Sequence, residues 1–220
     1  MNKFINALLT FILFPTMLVV IFIGFDLPLT ILKTTGANLP YRHEILLGIG
    51  LLVLIINLRR SVRRWMGMII VSRKSKFKWN APVSKARARR VYTYLLLEAL
   101  VMAVVGIGLY VVTPLAWMPA IGYLFGALDS ILFAFIGGRN RYRIGLSSKA
   151  LIVADREVVI LYFKGLRKVS VHQQSIYFDY VKGLQLSFPS NCVEDDNRSE
   201  FFEMLEDQLD PEKVFFSKNM

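Results

Sequence analysis

The chain has 220 residues, of which 55% are hydrophobic, and 27 Lys and Arg residues against 16 Asp and Glu residues give it a net charge of +11. The apolar residues exceed the ~45–50% usual in soluble domains and are gathered in long runs, which excludes an ordinary soluble globular protein and a disordered chain. One cysteine excludes a disulfide within the chain, and two histidines leave little for a structural zinc site. We therefore expect neither a metal nor another cofactor.

Four apolar runs have the length of membrane-spanning helices, which need ~20 mostly apolar residues to cross the hydrocarbon core. The first run contains Pro15, which membrane helices tolerate, and it is longer than the apolar region of a typical signal peptide. The sequence thus predicts an α-helical integral membrane protein with four transmembrane helices, at about 4–25, 41–58, 91–112 and 119–136.

Positive charge is concentrated in the predicted loop 59–90, which has twelve basic residues and no acidic residue. Basic loops stay in the cytoplasm, so we place this loop and both chain termini on the cytoplasmic side of the inner membrane. Arg139, Arg141 and Arg143 follow the fourth span on the same side. We expect the loop to form an anionic-lipid surface on the bilayer, made of Arg59, Arg60, Arg63, Arg64, Arg73, Lys74, Lys76, Lys78, Lys85, Arg87, Arg89 and Arg90.

The same loop contains alternating basic and aromatic residues at 76–79, a composition that also occurs in nucleic-acid-binding surfaces. Two neighbouring spans hold the loop against the bilayer, so we expect anionic lipids and not nucleic acid as its partner.

Two acidic residues fall inside predicted spans, Glu98 in the third and Asp129 in the fourth. At 1.5 Å per residue they lie at similar depth, because the two spans run in opposite directions. Intramembrane acids are costly and are functional candidates by default. Three interpretations stay open: a protonated or hydrogen-bonded pair that holds helices or subunits together, a pair that handles an ion or proton, or two separate solvated positions.

Small residues recur every four positions along the fourth span, which is the pattern of a close helix-packing face. This helix-packing stripe consists of Gly122, Gly126, Ser130 and Ala134.

Charge and residue pattern both change near Gly137–Gly138. Residues 1–143 hold 18 basic and 4 acidic residues, a net +14, whereas residues 144–220 hold 9 basic and 12 acidic residues, a net −3. We therefore predict a transmembrane domain at 1–138 and a cytoplasmic domain at 139–220.

The second domain has strand-like segments at 149–154, 157–163, 169–171, 176–180 and 184–188, rich in β-branched and aromatic residues or alternating apolar with polar ones. A helix should follow from Asn197, with Phe201 and Leu205 on its apolar face and a capping-box spacing between Asn197 and Glu200. The sequence predicts a small α+β domain of antiparallel strands capped by one helix.

The stretch from Tyr142 to Phe163, together with 184–189, resembles the pleckstrin-homology-like (PH-like) domain of bacterial multi-span membrane proteins. The resemblance implies a module for protein docking, for oligomerisation or for lipid headgroups. We therefore expect a membrane-anchored interaction or scaffold protein, whose cytoplasmic domain docks a partner protein or joins copies of the chain into a homo-oligomer. The alternative is a small transporter or channel subunit that uses Glu98 and Asp129.

The sequence contains no nucleophile elbow, P-loop or zinc-protease motif, so we expect no enzyme activity and no catalytic residue. The predicted topology places His43 and His172 on opposite sides of the membrane, where they cannot share a site.

Overall fold

The computed structural model describes residues 2–30, 33–137, 141–172, 175–181 and 183–218. Gly138 and Arg139, at the predicted domain boundary, lie outside the described residues.

Helices make up the first part of the chain. They are α1 (Asn2–Gly24), α2 (Arg42–Ser72), α3 (Lys85–Val112) and α4 (Trp117–Gly137), and a shorter helix, α5 (Arg198–Asp207), follows near the C-terminus. Helices α1 to α4 are long and apolar enough to cross a membrane, which confirms the predicted four apolar helices.

Helix α2 is 31 residues long, about 45 Å at the usual rise, which exceeds the ~30 Å of a hydrocarbon core. The prediction of a loop from residue 59 is therefore wrong for 59–72, which are helical. Helix α3 likewise begins at Lys85, within the predicted loop. Arginine is a good helix former, so a cluster of arginines can lower the local hydropathy without ending the helix.

The predicted anionic-lipid surface also needs correction. Arg60 and Arg64 are 4% and 2% exposed, so their guanidinium groups are not presented to headgroups, and Arg87 pairs with Asp155 at 2.9 Å. Arg63 is half-buried. The exposed members of the set are Arg59, Arg73, Lys74, Lys76, Lys78, Lys85, Arg89 and Arg90.

The chain divides into two compact units. Unit 1 comprises Met1–Arg63 and Tyr94–Phe133, and unit 2 comprises Arg64–Thr93 and Ala134–Met220. The core of unit 1 is apolar and draws on all four long helices, with Val20 from α1, Val53 from α2, Leu109 from α3 and Tyr123 from α4. The connection after α1 forms a small antiparallel pair, β1 (Pro28–Leu29) with β2 (Thr34–Thr35).

Unit 2 contains two four-stranded sheets. The first has the order β3-β4-β5-β6, with all neighbours antiparallel: β3 (Trp79–Pro82), β4 (Arg143–Leu146), β5 (Ala150–Ala154) and β6 (Val158–Tyr162). The second has the order β10-β7-β8-β9: β7 (Leu166–Val171), β8 (Ser175–Tyr180), β9 (Gln185–Pro189) and β10 (Phe215–Lys218). Strand β10 runs parallel to β7, and the other pairs are antiparallel.

Helix α5 closes the core of unit 2 with its apolar face. Phe201 is fully buried, and its ring centroid lies 5.1 Å from the ring centroid of Trp79 and 6.1 Å from that of Phe188. The predicted helix is thus present, although Asn197 makes no side-chain capping hydrogen bond. A β-rich C-terminal region with one capping helix therefore follows the helical part, as predicted, while β3, β4 and β10 were not predicted.

Candidate functional site

Glu98 on α3 forms a two-pronged ion pair with Arg60 on α2. The two contacts are Arg60 Nη1 to Glu98 Oε1 at 2.6 Å and Arg60 Nη2 to Glu98 Oε2 at 2.7 Å. Ser130 on α4 donates a third hydrogen bond, from its Oγ to Glu98 Oε1, at 2.9 Å. One carboxylate thus joins three of the four long helices, and a fork-to-fork pair fixes its orientation more strictly than a point charge would.

Asp129, the second predicted intramembrane acid, is 8% exposed and has a different partner. Ser61 on α2 donates a hydrogen bond from its Oγ to Asp129 Oδ1 at 2.6 Å. Arg60 and Ser61 are consecutive on α2, and Asp129 and Ser130 are consecutive on α4. The two acids therefore belong to one group of side chains, which we call the polar cluster: Arg60, Ser61, Glu98, Asp129 and Ser130.

The helix-packing stripe lies against neighbouring helices within unit 1. A Cβ atom on Gly122 would lie 3.0 Å from Val53 on α2, and one on Gly126 would lie 2.8 Å from Met102 on α3. Asn57 on α2, which sequence reasoning did not single out, donates from its Nδ2 to the Gly122 carbonyl oxygen at 3.1 Å. Ser130 and Ala134, the remaining members, are both buried.

In the polar cluster, the carboxylate of Glu98 faces the guanidinium group of Arg60, an oppositely charged partner. Among the described residues there is no group of three or more His, Cys, Asp or Glu side chains arranged to hold a metal ion. The arrangement suits a structural link between helices, because each side chain of the polar cluster contacts a partner on another helix.

Unit 2 carries a second feature, at the edge of the first sheet. Strand β6 is an edge strand of this sheet, and β5 is its neighbour in the hydrogen-bonded ladder. The strand is apolar throughout, and Val159, Ile160 and Tyr162 are 39%, 37% and 57% exposed. We call this feature the β6 edge. An apolar edge strand of this kind can act as a template for another strand.

Two other edge strands of unit 2, β3 and β9, end in proline, at Pro82 and Pro189. Proline removes a backbone donor, which is a usual means of protecting a sheet edge. Strand β6 contains no proline and no charged residue. The sequence signal was the absence of polar alternation at 158–162, which leaves an apolar side chain on both faces of the strand.

Comparison of the chain with protein-family models, with curated proteins and with solved structures found no match.

Proposed function

We propose that this protein is a membrane-anchored docking protein. Helices α1 to α4 cross the cytoplasmic membrane with both termini inside, and the β-rich unit binds an extended segment of another protein chain along the β6 edge. The observation that carries the proposal is the apolar, partly exposed β6 edge, which lacks the proline that ends the edge strands β3 and β9.

The strand order of unit 2 supports a PH-like module. Strands β3 to β6 form one antiparallel sheet, β7 to β9 form a second, and a C-terminal helix follows them. Phe201 on that helix packs against aromatic rings from β3 and β9, so the helix covers the core. Modules of this architecture serve as docking surfaces, which is the role proposed here.

The backbone of β6 favours a protein over lipid as the ligand of this edge. Exposed apolar side chains alone would suit the membrane interface equally well. The outer side of an edge strand, however, presents backbone N–H and C=O groups that hydrocarbon cannot satisfy, whereas an added strand satisfies them in register. The bound segment can come from a different protein or from a second copy of this chain.

The polar cluster supports an anchoring role for the helical part. Its ion pair and hydrogen bonds join α2, α3 and α4, from which the chain continues into unit 2. A transporter or channel subunit, the alternative, would need Glu98 or Asp129 to exchange ions or protons during function. The contacts of Glu98 with Arg60 and Ser130 favour the anchor.

Site-specific photo-crosslinking in native membranes tests the proposal. A photoreactive residue replaces Ile160 in the full-length chain, and the matched control places it at Val181, which is also apolar and 44% exposed in unit 2. We expect a protein adduct of defined mass at 160 and none at 181, and its mass tells a second copy from another protein. The adduct at 160 should disappear when Tyr162→Lys is added, because a charge on the edge strand opposes pairing.

Two results would contradict the proposal. Equal adducts at 160 and 181 would show that the β6 edge has no special role. Adducts with lipid alone at 160 would assign the exposed side chains to the membrane interface.

A further inference from the structure

A cleft of about 450 Å³ lies within unit 2, beside the last turns of α2 and the start of β4. Its volume is in the range of small-molecule sites. Its walls combine two apolar side chains with a hydroxyl and four cationic groups, contributed by Met68, Ile69, Ser72, Arg73, Lys74, Arg141 and Arg143. We call it the basic cleft.

Arg143 is held in the wall of the basic cleft by Asn80. The guanidinium donates from Nε to Asn80 Oδ1 at 2.5 Å and from Nη2 to the Asn80 carbonyl oxygen at 3.3 Å. Asn80 in turn donates from Nδ2 to the carbonyl oxygen of Val71, in the last turn of α2, at 2.9 Å. This chain of contacts fixes one cationic group before any ligand arrives, which lowers the entropic cost of binding.

Charge in the basic cleft is uncompensated by its lining. No Asp or Glu lines it among the described residues, while Arg73, Lys74 and Arg141 are exposed. Partial burial lowers the pKa of Arg143, since the charged guanidinium loses water there. An anion in the basic cleft would relieve both the mutual repulsion and the lost hydration.

We propose that the basic cleft binds a single phosphate group, that of an anionic phospholipid headgroup. Guanidinium groups match the oxygens of a phosphate, and the side chains of Met68 and Ile69 offer apolar contacts for the carbon part of a lipid. The location favours a lipid over a soluble phosphate compound, because Arg141 follows the end of a candidate span by four residues. This site is independent of the β6 edge, and it uses Arg141 and Arg143, which lie outside the loop predicted to rest on headgroups.

Native mass spectrometry of the full-length protein in detergent tests the site, with phosphatidylglycerol and phosphatidylcholine as probes. The test variant combines Arg73→Gln with Arg141→Gln, two exposed residues whose replacement leaves the Arg143–Asn80 contact in place. The control combines Lys164→Gln with Arg167→Gln, which removes the same charge from exposed positions of unit 2 outside the cleft. Both variants should remain monodisperse.

We expect wild type to retain phosphatidylglycerol in preference to phosphatidylcholine at a one-to-one ratio. Affinity for phosphatidylglycerol should fall by about tenfold or more in the cleft variant and much less in the control, since two basic side chains near a headgroup each contribute to binding. Equal losses in the two variants, or no preference in wild type, would overturn the site. Displacement of the lipid by excess inorganic phosphate would keep the phosphate site but assign it to a soluble ligand.

Discussion

Arg60 on α2 and Glu98 on α3 form a two-pronged ion pair, with contacts of 2.6 and 2.7 Å. The predicted second span ends two residues before Arg60. The pair explains how an arginine comes to be buried in an apolar bundle. Replacing one or both of these residues therefore tests how much the ion pair contributes to the stability of the fold.

Removing one member of the Arg60–Glu98 pair should be strongly destabilising. Glu98→Gln leaves the buried guanidinium without its counter-charge, and we expect a loss of about 3–5 kcal/mol. The double variant Arg60→Met with Glu98→Met should lose less than this single variant, because no buried charge is left unpaired. Thermal unfolding in detergent measures both, with the exposed Arg59→Met as the control, expected to change stability by less than ~0.5 kcal/mol. A Glu98→Gln protein as stable as wild type would show that Glu98 carries no charge in the fold.

Close helix contact should make Gly50 on α2 intolerant of a methyl group. A Cβ there would lie 2.5 Å from the backbone nitrogen of Pro119 on α4, and backbone cannot move aside as a flexible side chain can. Gly48 on the same helix has no atom within 4 Å of its Cβ position. Gly50→Ala should therefore lower the unfolding temperature, whereas Gly48→Ala should leave it unchanged or raise it, since alanine is favoured in helices by about 1 kcal/mol. Similar effects of the two changes would refute the close α2–α4 contact.

Cys192 should be inert at neutral pH. The side chain is 1% exposed, and burial raises the pKa of its thiol to about 12, with Arg87 opposing the effect. The raised pKa means that the folded state holds the proton more tightly than the unfolded state, so this group's contribution to stability is lost as pH rises above about 9. We expect maleimide labelling of native protein to be slow at pH 7 and to increase roughly tenfold per pH unit, while denatured protein labels fully. Rapid labelling at pH 7 would contradict the burial.

The proposed orientation predicts which connections face the cytoplasm. In a Cys192→Ser background, Asn38→Cys should react with a membrane-impermeant thiol reagent in intact cells, and Ser75→Cys only after permeabilisation. Both positions are exposed. Gly36 would be a poor choice, since a side chain there would overlap the carbonyl oxygen of Phe22. The reverse labelling pattern would invert the topology.

Sequence reasoning found the elements whose signal is local. The four apolar helices follow from composition over about twenty residues, and the strands near 149–188 follow from short-range patterns. It missed β3, because Trp79–Pro82 contains a proline and lies in a basic segment, and its partner β4 is more than sixty residues away. Trp79 contributes a ring to the α5 core, so the predicted domain 139–220 lacks a strand and an aromatic side chain that complete its core.

The polar cluster could be predicted in part. Glu98 and Asp129 stand out because acids are rare in apolar runs, and the small residues of α4 stand out by their spacing. Arg60 and Ser61 were not paired with them, because hydropathy assigned the arginine to a loop and a lone serine has no distinctive pattern. Partners on different helices become visible only when the packing of the helices is known.

Native gel electrophoresis of membranes solubilised in mild detergent tests the central claim, docking at the β6 edge, most directly. Three full-length proteins are compared: wild type, Ile160→Lys on the edge, and Val181→Lys as the matched control at another exposed apolar position of unit 2. Docking at the β6 edge predicts that wild type and Val181→Lys migrate as the same larger assembly, and that Ile160→Lys migrates as the isolated chain. Identical migration of all three proteins would contradict docking at this strand.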